Sequence, residues 1–199
     1  MENKKYEFTG ETKTFCGVTL RRIRALVTII GVVNSGDCGG WIESENNLQV
    51  YGNAWVSGNA QVSGNARVYG NAQVSGKAQV YGNAQVFDNV RVYGNAQVFD
   101  NARVYDDTGV FGNTWVCGDA QVYGNAAICT FSGFGSKFRT TTAFIDKEIG
   151  IRVVCGCFTG TLEQFRKQVI RTHGEDSKNG KLYLGMANMI EYRLEGCEQ

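Results

Sequence analysis

Fourteen six-residue units run without a break from residue 46 to residue 129, most of them a variant of Gly-Asn-Ala-x-Val-x. A period this strict means that one small backbone unit is stacked on itself. Within each unit Ala and Val stand two residues apart, so both point to the same side of a short strand, and the residue after each points to the other. Val56, Val62, Val68, Val74 and Val80 therefore line an interior, with Ala60, Ala66, Ala72 and Ala78 filling its tighter positions. Gly-Asn supplies a corner, because Gly accepts positive φ and Asn tolerates left-handed geometry while bonding locally to the backbone. The apolar runs are too short for helices, and six is the wrong period for a heptad.

The unit Val56-Ser57-Gly58-Asn59-Ala60-Gln61 resembles the hexapeptide repeat of left-handed β-helix proteins. The resemblance implies three hexads per triangular coil, residues 18 apart in register, and a handedness opposite to the usual rule for parallel crossovers. Fourteen hexads then make between four and five coils, a prism of roughly 20 Å. The expected fold is mainly β: a left-handed parallel β-helix over residues 46–129, a small N-terminal cap over 1–45 and a C-terminal α+β module over 130–199.

Reading outward positions every 18 residues sorts three faces. One stacks Tyr51, Tyr69, Phe87, Tyr105 and Tyr123 beside Gln49, Arg67, Gln85, Arg103 and Gln121. A second carries Ser57, Ser75, Tyr93, Phe111 and Cys129 beside Trp55, Gln73 and Arg91, and the third has Ser63, Tyr81, Phe99 and Cys117 beside Trp115. Only the first is aromatic from end to end. Its plain reading is packing, with the face covered by a second domain or another subunit, since monomers seldom leave several hundred Å² of contiguous apolar surface open. The sharper reading is a ligand platform, with Tyr69 and Tyr105 stacking on a planar base and Arg67 and Arg103 pairing with phosphate.

Charge is even over residues 1–45, minus one across the repeats and plus two afterwards. No segment has the basic excess of a duplex-binding surface. The opening MENKKYEFTG lacks the apolar core of a signal peptide and no run reaches membrane length, so a cytoplasmic protein is expected. Seven cysteines, several in strand-like apolar contexts, suit reduced thiols. Cys155 and Cys157 offer two ligands and the lone His173 lies in another segment, so neither a metal nor a cofactor is expected.

Residues 1–45 leave the hexad and carry an apolar stretch before Asp37-Cys38-Gly39-Gly40-Trp41-Ile42, which suits a strand-rich cap over the first coil. The opening KYEFTGETKTFCGVTLRRIRAL and the phrase GDCGGWIE are similar to the start of a group of β-helix proteins from bacteria and tailed phages, often labelled transferases.

After Thr130 the sequence predicts a strand from Lys137 to Ile145, a turn at Asp146-Lys147-Glu148 and a strand from Gly150 to Cys155. Thr161-x-x-Gln164 is a capping box opening an amphipathic helix, and a second helix is expected from about Lys181. A strand, a Gly-containing loop and a helix start gather free N–H groups at the positive end of a dipole, which suits an anion. The expected site comprises Thr159, Gly160 and Thr161, with Lys137, Arg139 and Thr141 from the neighbouring strand, and the Arg67, Tyr69, Arg103, Tyr105 face is the second candidate surface. The stretches GSKFRTTTAF and VVCGCFTGTLEQF resemble a C-terminal module of phage and prophage proteins.

Three functions compete. Hexapeptide acyltransferases use a coil histidine as general base, and these repeats hold neither histidine nor glutamate, so no catalytic residue is assigned. A structural assembly protein is the second alternative, opposed by caps at both ends. The preferred reading is a non-catalytic binding protein that antagonises host defence, sequestering an anionic nucleotide-like signal or blocking a defence protein. It would work in the bacterial cytoplasm as a dimer or trimer, with no duplex nucleic acid and no membrane as partner.

Overall fold

The computed structural model describes residues 4–124, 128–134, 139–146 and 148–195 of the chain. Its centre is a β-solenoid of about five turns built from two- and three-residue strands. One flank stacks β4 (Trp55–Val56), β7 (Gln73–Val74), β10 (Arg91–Val92) and β13 (Gly109–Val110). A second stacks β6 (Arg67–Val68), β9 (Gln85–Val86), β12 (Arg103–Tyr105) and β15 (Gln121–Tyr123). The third stacks β5 (Gln61–Val62), β8 (Gln79–Val80), β11 (Gln97–Val98) and β14 (Trp115–Val116). All these pairs are parallel and in register at 18 residues, as with Gln73, Arg91 and Gly109.

The Ala and Val columns are fully buried from Ala54 to Val122. Each buried Val contributes on the order of 1.5 kcal/mol relative to an exposed one, and the repetition sums these into a rigid core. Two columns depart from Ala at Thr108 and Thr114, whose buried hydroxyls donate to the carbonyls of Tyr105 and Phe111, each at 2.6 Å. The corners need positive φ: Gly occupies most of them, and Asp88, Asp100 and Asp106 adopt φ of 57°, 58° and 58°. Corner Asn side chains form ladders, Asn71 to Asn89 to Asp107 and Asn83 to Asn101 to Asp119, each step near 3 Å. Each amide donates towards the next turn, so the last described rung needs only an acceptor and a carboxylate serves.

The first turn is longer than the others. Leu48 bridges to Val68 and Trp41 pairs with Gln61, both 20 residues apart, whereas Asn53 already bonds Asn71 at 18. Two residues are therefore inserted between Leu48 and Asn53, and the expected unbroken series begins after them. Tyr51, expected at the head of the aromatic column, is an exposed side chain outside the ring stack, which runs from Tyr69.

The N-terminal residues extend the third flank. β1 (Tyr6–Phe15) and β2 (Val18–Ala25) form an antiparallel hairpin, β2 pairs with β3 (Cys38–Ile42), and β3 pairs in parallel with β5. At the other end β16 (Ile128–Phe134), β17 (Arg139–Asp146), β18 (Gly150–Cys155) and β19 (Phe158–Thr161) form an antiparallel sheet in that order. Cys129, expected as the last outward position of the second face, belongs to β16. Two helices follow, α1 (Leu162–His173) and α2 (Lys178–Leu194), the second starting three residues before the sequence expectation because Ser177 accepts from the Gly180 N–H as its N-cap. One face of the sheet packs on the helices through Phe158, Phe165, Phe134 and Tyr183. The other closes the solenoid, with Ala120 bridged to Asp146 and Thr114 beside Thr130 at 3.3 Å. Among the described residues no helix is long and apolar enough to cross a membrane.

Candidate functional site

The residues expected to form an anion site are divided between the two sides of a sheet. Directly opposed residues of antiparallel strands share a face. Thr159 lies opposite Val154, itself opposite Thr142, whereas Thr141 lies opposite Cys155 one position along and so on the other face. Thr141 is fully buried and its hydroxyl donates to the Cys155 sulfur at 3.1 Å. The expected loop at Phe158–Thr161 is itself a strand, β19. Thr161 and Gln164 satisfy each other's backbone N–H groups, at 2.9 and 3.1 Å. A side chain at Gly160 would meet the Gln164 carboxamide oxygen at 2.5 Å, so that carboxamide covers the place meant for an anion. Arg139 opens β17 opposite Phe134, and Lys137 lies outside the described residues.

The second candidate surface forms as a ladder, with its ring faces already in use. Tyr69, Phe87, Tyr105 and Tyr123 stack at centroid distances of 4.8, 5.2 and 5.6 Å. Tyr105 has a ring on each side, so it offers no face to a planar ligand. The Arg67 guanidinium lies 5.7 Å from the Tyr69 ring and that of Arg103 lies 5.8 Å from Phe87, cation–π contacts that also place both charges at the surface. Burial raises the Tyr69 phenol above its ordinary pKa, Arg103 and Arg67 pull it partly back, and its hydroxyl lies 3.2 Å from the Gln85 carboxamide oxygen. The C-terminal module sits on the end of the solenoid through β14, β15 and β17.

A groove of about 1020 Å³ lies instead on the flank of β4, β7, β10 and β13, where it meets β16. Repeat geometry explains why it opens there. The first outward column of this flank reads Trp55, Gln73, Arg91, Gly109, and glycine removes the side chain that every other described rung of the solenoid presents at that position. Gly109 has no positive φ, so the backbone itself does not require glycine. Around the gap stand Arg91 on the preceding rung, the stacked pair Tyr93 and Phe111 at 5.3 Å, and the corner carboxylate of Asp107, whose Oδ1 accepts from Asn89 at 2.9 Å. Tyr93 and Phe111 are 44% and 52% exposed, well above the half-buried rings of the longer ladder. Thr130 and Ser132 of β16 supply hydroxyls to the far wall. The repeat places the Tyr93, Phe111 column beside Arg91 on one outward face, but the groove itself is not evident from that pattern, because its signal is a missing side chain at Gly109.

His173 is at the C-terminal end of α1, its ring stacked on Tyr183 at 5.4 Å and 12°. Among the described residues no three His, Cys, Asp or Glu side chains cluster as metal ligands would. Burial pushes the Cys117 and Cys129 thiols up to about 11, which removes them as nucleophiles near neutrality.

Residues 48–62, 60–76, 84–98 and 96–112 match the family model of the YdcK beta-solenoid repeat. No curated protein matches the sequence. The matched segments fall on the turns that carry the ladders and the groove, and the chain is a β-solenoid repeat protein.

Proposed function

We propose that this chain is a non-catalytic binding protein that sequesters a nucleotide-like anion on the flank of its solenoid. The observation that carries the reading is the groove over Gly109, where a guanidinium, two exposed stacked rings and several hydroxyl and carboxamide groups converge. A volume of about 1020 Å³ is at the upper end of small-molecule sites, and mixed aromatic and polar walls are the usual composition of such sites. A rigid stack costs little ordering entropy on binding, which favours holding a ligand. Turnover has less support. Acyl transfer needs a base titrating near neutrality, the coils hold no histidine, and His173 is engaged with Tyr183 in the terminal module.

The biological half of the reading comes from the resemblance of both ends of the chain to phage and prophage proteins. On that footing the ligand is an immune signal built from nucleotides, the protein acts in the bacterial cytoplasm, and removal of the signal antagonises host defence. Sequestration needs affinity and abundance, without chemistry.

The test is retention. Purified protein is incubated with the small-molecule pool of a bacterial cell, washed, heated, and the released compounds are identified by mass spectrometry. A nucleotide-type compound released in proportion to protein supports the reading. Nothing retained overturns it, and turnover of an acyl thioester would then put the transferase reading in its place.

A further inference from the structure

We propose that the Gly109 notch is the seat of a ribonucleotide carrying a single phosphate group, with the base on Phe111, the ribose over Gly109 and the phosphate at Arg91. The inference rests on the binding reading above and names the chemistry of that same groove. Three placements carry it.

The first is the end of a ring stack. Tyr93 and Phe111 stack on each other, and the rung after Phe111 leaves the solenoid to become β16. Phe111, Ile128 and Thr130 all line the groove, and the base is placed on the Phe111 face turned away from Tyr93. A planar base there continues the ladder by one rung, and base–aromatic stacking of this kind contributes about 1–3 kcal/mol whichever base it is.

The second is the missing side chain. Gly109 opens its two-residue strand two positions after the corner residue Asp107 and two before Phe111, and is opposed on the preceding rung by Arg91. A sugar can approach the peptide there, as it could not over the Gln or Arg that other rungs carry. The third is the pair of charges. Arg91 and Asp107 are both exposed and both line the groove, so their charges offset each other. One phosphate suits Arg91, while a polyphosphate would be repelled by the carboxylate. Asp107 gives one oxygen to Asn89, and its other accepts hydrogen bonds from a ribose diol, which selects ribose over deoxyribose.

Calorimetric titration of the full chain with AMP, GMP, their 2′-deoxy counterparts and inorganic phosphate tests this. The expected result is binding of both ribonucleotides, weaker binding of the deoxy forms, and weakest binding of phosphate. Gly109→Gln restores the repeat residue and fills the notch. It should weaken AMP and GMP at least about tenfold, because a filled pocket leaves no room for the sugar, while the unfolding midpoint stays level or rises. Asp107→Asn keeps an acceptor for Asn89 and should narrow the gap between ribose and deoxyribose. Equal binding by wild type and Gly109→Gln, no binding of either ribonucleotide, or ribose discrimination untouched in Asp107→Asn would each overturn the assignment. If the cellular pool yields a retained ligand that Gly109→Gln holds equally well, the notch falls and the sequestration reading stands; if the pool yields nothing, both fall.

Discussion

The Lys5 ammonium donates to the Ala54 carbonyl at 2.6 Å, inside the N-terminal end of the solenoid. Backbone N–H groups of each turn donate to carbonyls of the next, as Asn53 does to Gly70, so the carbonyls at Tyr51, Gly52 and Ala54 have no preceding turn to donate to them. Lys5 answers this directly: it is 2% exposed, and its Nζ also reaches the carbonyls of Tyr51 and Gly52 at 3.3 Å. Tyr6 adds a hydroxyl bond to the Leu48 carbonyl at 3.0 Å. An ammonium with three donors matches three converging carbonyls as no neutral side chain could.

Lys5→Met should therefore destabilise the fold by about 2 kcal/mol, since buried carbonyls lose their donors while the stem volume is kept. In a chain of this size that lowers the thermal midpoint by roughly 4–8 °C. Lys4→Met is the control: Lys4 pairs with Glu45 at the surface, and exposed pairs contribute about 0–1 kcal/mol. Equal midpoints for wild type and Lys5→Met would rule out the carbonyl cap.

The same residue sets a pH dependence. Burial lowers the Lys5 pKa from its ordinary 10.5 to about 8. Between those values the unfolded chain binds more protons than the folded one, so stability rises with pH as the buried ammonium is relieved of its charge. Tyr6 works in the opposite direction, because burial and then Glu45 raise its pKa and only the unfolded phenol ionises above about pH 10. The clean window is pH 7.5 to 9.5, where wild type should gain about 1–2 kcal/mol over Lys5→Met. Denaturant unfolding of both proteins across that window measures it, and parallel curves would show that Lys5 does not titrate there.

Much of the fold was legible because a repeat states its geometry many times over. The 18-residue register, the buried Ala and Val columns and the Thr161 cap all follow from local patterns that recur or that satisfy their own backbone groups. What escaped depends on single departures from the pattern. The two inserted residues before Asn53 leave Leu48-x-Val50 six residues ahead of Ala54-x-Val56, so periodicity alone does not reveal them. The residues of the expected anion site are not all brought together, because strand register puts Thr159 and Thr141 on opposite faces of the sheet and Phe158–Thr161 pairs as a strand. The groove was written in the sequence as Gly109 in a column of large residues, a signal that emerges only once the columns are aligned on a stack.

A largely buried ion pair within the C-terminal module lies against the last turn of the solenoid. Asp146 is 1% exposed, accepts from the Glu148 and Ile149 N–H groups, and accepts from the Arg152 Nε at 2.7 Å. Arg152 in turn lies against the corner at Gly118, where an added Cβ would stand 3.0 Å from the guanidinium, at a φ of +69°. Asp146→Asn removes one partner and leaves a buried guanidinium uncompensated, a change expected to cost about 3 kcal/mol. Gly118→Ala should destabilise the same junction through the positive φ and the close contact. Because Asp146 also bridges Ala120, both variants should loosen the module before the turns melt. Hydrogen exchange should then rise first in β17 and β18, and uniform acceleration along the whole chain would contradict this order.

Cysteine labelling reads the same junction chemically. Cys16, Cys38 and Cys157 are exposed, whereas Cys117 is 7% exposed beside the Gly118 corner. Burial, with Asp100 adding to it, pushes the Cys117 thiol up to about 11, and burial does the same for Cys129. A thiol with that pKa holds on the order of 1 part in 1000 as thiolate at pH 8, too little for rapid alkylation. Iodoacetamide at pH 8 should therefore modify Cys16, Cys38 and Cys157 within minutes and leave Cys117 and Cys129 unmodified until the protein unfolds, as peptide mass spectrometry would score. In Asp146→Asn the protection should fail at Cys117 selectively, because that thiol is shielded where the module meets the last turns. Labelling of wild-type Cys117 as fast as Cys157 would mean that the module does not close the solenoid as described.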